Sequence, residues 1–171
     1  MSELHTLVAG LSWNEPATAS SPDGGRRRRQ IATGIGAAML SLAGGAPGVA
    51  VEVGQADWAA DDAVAQENMF NSAAPAGTGY VMVPVTVSNG DGDAVVPRAV
   101  VSVTYRAEDG RTFSPERQVV PADLDEIAEL APGETATGNV LFAIPDDARG
   151  AGAWVVELST GDGAELAFTA L

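Results

Sequence analysis

"GYVMVPVTVSN" (residues 79–89) places four valines, Val81, Val83, Val85 and Val87, at alternate positions, with Tyr80, Met82, Pro84 and Thr86 between them. Successive side chains of a strand point to opposite faces, so this spacing puts all four valines on one face of a pleat. A helix would scatter them around its circumference. Pro84 has no N–H to give to a ladder, which predicts an unpaired side or a bulge at that point.

The same period of two recurs on both sides of this stretch. Upstream, Val49, Val51 and Val53 alternate with polar or small residues. Downstream come Val101, Val103 and Tyr105, then Val140, Phe142 and Ile144, then Trp154, Val156 and Leu158, and finally Leu166 and Phe168. "DGRTF" (109–113) reads as a tight turn running into a further strand, because Asp-Gly favours hairpins. "PADLDEIAEL" (121–130) is the one helix-like stretch, with Leu124, Ile127 and Leu130 at helical spacing. It predicts a turn or two lying over the end of the core. About seven short strands separated by Gly, Pro and Asp turns predict an all-β, immunoglobulin-like antiparallel sandwich.

Composition agrees. The chain has 171 residues, enough for one domain, and is 46% hydrophobic but only 5% aromatic. Its apolar mass is therefore Ala, Val and Leu, and its 20 Gly and 10 Pro imply many turns. No long internal repeat is visible.

Three segments are expected. Residues 1–30, with "NEPATASSPDGGRRRRQ", read as a disordered Arg-rich tail. Residues 31–48 admit two readings. Arg run, mild apolar stretch and the small-residue end Gly48-Val49-Ala50 have the order of an export signal, and "RRQIA" is similar to a twin-arginine leader. Alternatively "AAMLSL" and "VAVEVGQADW" are the two strands of a hairpin around "AGGAPG". A leader cut at Ala50 would remove half of the Val49 strand. Residues 49–171 form the sandwich. A stable membrane span is not expected, because the uncharged stretch is rich in Gly and Ala and poor in Leu.

Charge and missing residue types exclude most chemistries. Net charge is −14, and from residue 31 onward five arginines face 20 carboxylates. Such a surface repels nucleic-acid backbones and anionic lipid. There is no Cys, hence no thiol nucleophile, disulfide, thiolate metal site or lipobox cysteine. There is no Lys, and the single His is His5, in the expected tail. Only carboxylates are left for acid–base work.

Two longer stretches, "DDAVAQENMFNSAAPAGTGYVMVPVTVSN" and "VVPADLDEIAELAPGETATGNVLFAIP", add a resemblance. The first carries Glu67, Asn68, Phe70 and Asn71 in an "ENxFN" loop, then Gly77, Tyr80, Val81, Val83 and Val85 in a "G-x-x-Y-V-x-V-x-V" strand. The second carries Leu130, Pro132, Gly133, Gly138, Val140, Phe142 and Pro145 in a "L-x-P-G-x-x-x-T-G-x-V-x-F-x-V-P" strand. In these elements, over roughly residues 49–171, the chain resembles a telokin-like, immunoglobulin-type domain of unknown function found in secreted proteins and lipoproteins of high-GC Gram-positive bacteria. The resemblance implies an extracellular or cell-surface location and no catalytic residues. It also implies a short strand before Val49, which favours the hairpin reading and, with it, a cytoplasmic chain if no leader exists.

Three clusters are candidate sites. Glu67, Asn68, Phe70 and Asn71 offer a carboxylate, two amides and an aromatic, a possible rim for a ligand or partner. The plainer reading is a connector in which the Asn side chains cap backbone groups and Phe70 inserts into the end of the sandwich. Asn89, Asp91 and Asp93 resemble the start of a calcium loop, but the twelfth position, where a bidentate Glu is needed, is Val100. A turn with solvated carboxylates is the plainer account. Asp123, Asp125, Glu126 and Glu129 form an acidic patch, and a carboxylate-only hydrolase would need two such groups facing across a cleft. No cofactor is expected, calcium apart. The expected function is a non-catalytic interaction or structural module, meeting a protein partner through a strand edge or the end loops. A calcium- or small-ligand-binding module using the 67–71 and 89–93 loops is the alternative.

Overall fold

The computed structural model describes residues 29–32, 48–90, 93–159 and 164–170, with side chains for residues 48–90 and 93–159. The expected tail over 1–28 and the first hairpin strand or leader over 33–47 lie outside the described residues. The elements in chain order are β1 (Arg29–Ala32), β2 (Val49–Val53), α1 (Asp61–Glu67), β3 (Thr78–Asn89), α2 (Pro97–Val100), β4 (Val101–Ala107), β5 (Thr112–Phe113), β6 (Thr135–Pro145), β7 (Gly152–Leu158) and β8 (Ala164–Ala170). The seven strands expected from alternation are β2 to β8. β1 was not anticipated, and it straddles the boundary expected at residue 30.

Two sheets face each other. One runs β2-β3-β6 and the other β1-β8-β7-β4-β5. Every pairing is antiparallel except β1 with β8. Setting β1 aside, strands A, B and E of an immunoglobulin-like sandwich correspond to β2, β3 and β6, facing C′, C, F and G as β5, β4, β7 and β8. The chain is an antiparallel β-sandwich, as its valine spacing requires.

The core is the set that the alternation picks out. Val81, Val83, Val85 and Val87 are fully buried, with Val49 and Val51 from β2 and Phe142 and Ile144 from β6. Opposite them lie Val103 and Tyr105 of β4 and Trp154, Val156 and Leu158 of β7. At about 1.5–3 kcal/mol for each buried Val, Leu, Ile or Phe side chain, this layer is the main source of stability. Lacking cysteine, the sheets are joined by rings. Trp154 lies 4.8 Å from Tyr105 and 5.0 Å from Phe142, and Trp58 meets Tyr105 edge-on at 5.7 Å. The Tyr105 hydroxyl sits 2.9 Å from the Ala148 carbonyl and 3.0 Å from that of Ala151, so the buried ring keeps its polar end satisfied.

Pro84 produces a bulge. The β2–β3 register brings Val53 opposite Val85, and Gly54 N–H then donates to Pro84 C=O at 2.8 Å. The next contact is Asp57 with Met82. Two residues, Gln55 and Ala56, therefore stand against Val83 alone, where the missing Pro84 N–H has broken the ladder.

The sequence reading found one helical stretch and missed two. Residues 121–130 contain a single 3-10 turn, Leu124–Glu126, with Leu124 and Leu130 buried. α1 was not expected. It covers the outer face of the β2-β3-β6 sheet, where Ala60 and Val64 pack with Tyr80, Val120 and Leu141 in a second, smaller core. α2 was also missed, although Pro97 occupies the first turn, where its lack of an N–H costs nothing.

Candidate functional site

The loop after α1 is held by its two asparagines. Asn68 Oδ1 accepts from Phe70 N–H at 2.9 Å, closing a local Asx turn. Asn71 Nδ2 donates to the carbonyls of Val64 and Val119, both at 2.7 Å, and its Oδ1 accepts from Val119 N–H at 3.1 Å. One side chain thus ties α1 to the segment running toward β6. Phe70 does not insert into the sandwich: it and Met69 are each 85% exposed. The reason is local, because the Asx turn reverses the chain before it reaches the core and turns the ring outward. Val119, 41% exposed and bonded to Asn71, completes the set of exposed large apolar side chains among the described residues. Glu67 is exposed beside them.

Asn89 stands at the other end of β3. At about 3.3 Å per residue, the nine steps from Tyr80, whose hydroxyl reaches Ser72, put the two candidate loops some 30 Å apart. They form no common site. Asn89 is buried, and its Nδ2 donates to the carbonyls of Asp93 at 3.1 Å and Leu130 at 2.9 Å. Both amide hydrogens are used, which leaves Asn89 Oδ1 buried and without a hydrogen-bond partner among the described residues. Asp93 is exposed, and Asp91 lies outside the described residues. No group of three or more His, Cys, Asp or Glu gathers around a metal position among the described residues.

The acidic patch borders a feature that alternation could not reveal. A groove of about 680 Å³ runs between β4 and the segment 114–125, with Val101 and Val103 of β4 and Leu141 of β6 along it and Arg98, Arg117 and Asp123 on its walls. It exists because β5 is only two residues long. The register pairs Tyr105 with Phe113, so Val103, the next residue whose backbone groups point to the β5 side, would stand opposite Pro115. Proline cannot continue the ladder. The chain instead leaves β4 and crosses to β6, where Glu116 N–H donates to Leu141 C=O at 2.8 Å and Asn139 N–H to Ala122 C=O at 2.7 Å. Asn139 Nδ2 also donates to Pro121 C=O at 2.7 Å. This crossing covers the β6 edge and forces Ala122 into the left-handed region at φ 48°.

Asp123 follows that residue. Its partial burial raises its pKa above the ordinary carboxylate value, and the charges of Asp125 and Glu126 push the same way, while a bond from Asp125 N–H opposes them. Asp123 Oδ1 accepts from Asp125 N–H at 2.9 Å. The two carboxylates thus belong to one turn rather than to opposing walls, which is not the arrangement that glycoside hydrolysis uses. Glu126 and Glu129 are exposed.

No protein-family model and no curated protein matches the chain. Solved structures do. The chain is similar to an uncharacterised β-sandwich protein of Clostridium difficile 630, with a TM-score of 0.54 at 14% identity over 87% of this chain and 99% of that one. It is similar also to MPT63, a secreted protein of Mycobacterium tuberculosis, with a TM-score of 0.52 at 18% identity over 82% of this chain and 98% of the other. At these identities the likeness establishes the β-sandwich fold.

Proposed function

We propose that this chain is a non-catalytic, exported or cell-surface immunoglobulin-like domain that recognises a protein partner through the Met69–Phe70 tip. One observation carries the reading: two large apolar side chains, each 85% exposed, stand on a loop fixed by asparagine-to-backbone hydrogen bonds. Exposed apolar clusters mark contact sites, and a loop ordered before binding loses little entropy when it docks. The order of the "ENxFN", valine-strand and "PGxxxTG" motifs supports the telokin-like assignment, and with it export. The fold shared with a secreted mycobacterial protein fits the same picture.

The test is a Met69→Ser/Phe70→Ser double variant, which alters only exposed side chains. Cross-linked cell-envelope and supernatant fractions should yield a partner with the parent chain and none with the variant, at equal melting temperature. Equal capture by both overturns the reading. Export is tested separately by sequencing the mature N-terminus. A chain recovered outside the cytoplasm with its N-terminal segment removed supports it; a full-length cytoplasmic chain sinks it.

The unpartnered Asn89 Oδ1 favours a second reading, a weak calcium site in the 89–93 loop, since buried acceptors seldom go unsatisfied. A ligand that binds only the folded state raises the melting midpoint. Calcium should therefore raise it more than magnesium does at equal ionic strength, and Asp93→Asn should abolish the difference. Identical midpoints in the two salts remove this reading.

A further inference from the structure

We infer that the groove beside β4 accepts an extended peptide from another protein, which pairs with the free β4 edge as an added strand and places one acidic side chain at Arg98 and Arg117. This site is separate from the Met69–Phe70 tip, and its test is independent of it.

The backbone supplies the first argument. β4 pairs with β7 along all of its length, but with β5 only at Tyr105 and Arg106. Ala107 N–H donates to Arg111 C=O, so the odd-numbered residues of β4 present their backbone groups to the β5 side. Val101 N–H is taken by Pro97 C=O within α2. Val103, with Pro115 at the register position opposite it, has its N–H and C=O facing the groove with no bond to the described residues. Among the described residues, Val103 is thus the one open position on this side of β4, where an extended peptide could add a pair of backbone hydrogen bonds in strand register. Val101, Val103 and Leu141 lie along the groove but are almost fully buried, so its accessible lining is mixed polar and apolar; its volume, about 680 Å³, lies within the range of ligand-accepting clefts.

Charge supplies the second argument. Among the described residues, Arg111 is paired with Asp109 and Asp147, Arg149 with Asp146, and Arg106 also has a partner. The side chains of Arg98 and Arg117 have neither an ion pair nor a hydrogen bond among those residues. Both line this groove. A planar guanidinium suits a carboxylate. Glu116, Asp123 and Asp125 line the groove as well, so a single acidic side chain is accommodated and a polyacidic one is repelled. The net charge of −14 opposes a second copy of this chain as the occupant.

The probe is a capped hexapeptide of alternating Val and Thr carrying one Glu, compared with the same peptide carrying Lys and with one N-methylated on the β4-facing amides. With the isotope-labelled full chain, the Glu peptide should slow hydrogen exchange at Val103 at least tenfold. The Lys peptide should bind at least fivefold more weakly, and the N-methylated one should give no protection. An Arg98→Glu/Arg117→Glu variant should reverse the Glu-over-Lys preference, while Met69→Ser/Phe70→Ser should leave it intact. Equal binding of the Glu and Lys peptides, no binding of either at millimolar concentration, a Val103 amide already protected in the free chain, or dimerisation through β4 each overturns the inference.

Discussion

Glycines at two positions of this sandwich answer different demands, and substitution separates them. A Cβ built on Gly138 would stand 2.5 Å from Leu124 Cα and 2.8 Å from Leu124 N, both backbone atoms of the turn that crosses β6. That turn is fixed to Asn139 through Ala122 and Pro121, so it has nowhere to retreat. Gly138→Ala should cost about 1–3 kcal/mol in denaturant unfolding, the usual penalty of forcing extra volume into a packed site. At Gly79 the obstacle is the Arg149 guanidinium, the far end of a flexible side chain. That group donates from Nη1 to Trp58 C=O at 3.0 Å and from Nε to Ile144 C=O at 3.2 Å. Gly79→Ala should displace it and lose about one net hydrogen bond, roughly 1 kcal/mol, less than the loss at Gly138. Asp123 gives a prediction of the other sign. Its pKa is raised in the folded state, so its contribution to stability is fully present below the unfolded value and is lost as pH rises through the folded one. At pH 7 the ionised carboxylate is a burden on the fold. Asp123→Asn keeps an oxygen for the Asp125 N–H and should raise the melting temperature at pH 7 but not at pH 3. A melting temperature that falls at pH 7 would assign Asp123 a favourable charge interaction instead.

At the scale of elements, Asn71 is the joint between α1 and the segment before β6. Its side chain makes three hydrogen bonds, one to Val64 in α1 and two to Val119, 48 residues further along the chain. Asn71→Ala should cost about 1–3 kcal/mol, because Val64 and Val119 lose partners that water replaces only in part. Hydrogen exchange at Phe70 and Val119 should quicken while exchange in β3 stays slow, since the loop opens without the sandwich. If β3 exchange rises equally, Asn71 supports the whole fold rather than the tip. This joint marks where sequence stops being sufficient. The strands were legible because each buries a run of alternate residues, and four valines on β3 leave one choice of face. Asn68 and Asn71 were legible as backbone caps, because their turn chemistry is local. α1 was not, because a seven-residue helix with Val64 as its buried member has no period to detect. Its signals were the Ala60–Val64 spacing and the acidic first turn of Asp61 and Asp62, which are weak alone. The direction of Phe70 stayed open between an exposed rim and an inserted ring, because hydrophobicity argues for burial while the Asx turn dictates exposure. The groove was invisible, because it depends on Pro115 falling opposite Val103, a register that only the folded β4–β5 pair defines.

For the whole molecule, charge sets the conditions under which any of these sites is measured. The five arginines after residue 31 are too few to pair with 20 carboxylates, so most carboxylates repel one another across the surface. Compaction brings these charges closer together, and the fold bears the cost. Added sodium chloride should therefore raise the melting temperature. Most of the gain should fall below 0.15 M, where the screening length drops from about 30 Å at 0.01 M to about 8 Å. Local ion pairs oppose the trend. Asp109, whose pKa is lowered by hydrogen bonds from Arg111, and Asp147, the second partner of that arginine, gain from low salt. They are exposed, and exposed pairs contribute little. Net stabilisation by salt is thus the expected outcome, and a midpoint that falls between 0.01 and 0.15 M would show that paired charges outweigh the excess. The same reasoning fixes how calcium must be tested. Any divalent ion screens an acidic surface strongly, so a rise in midpoint with calcium alone proves nothing about Asn89 and Asp93. Only the part of the rise that magnesium fails to reproduce belongs to a site. That part should vanish with Asp93→Asn, whereas the general salt effect should shrink only by the share of one carboxylate among 23.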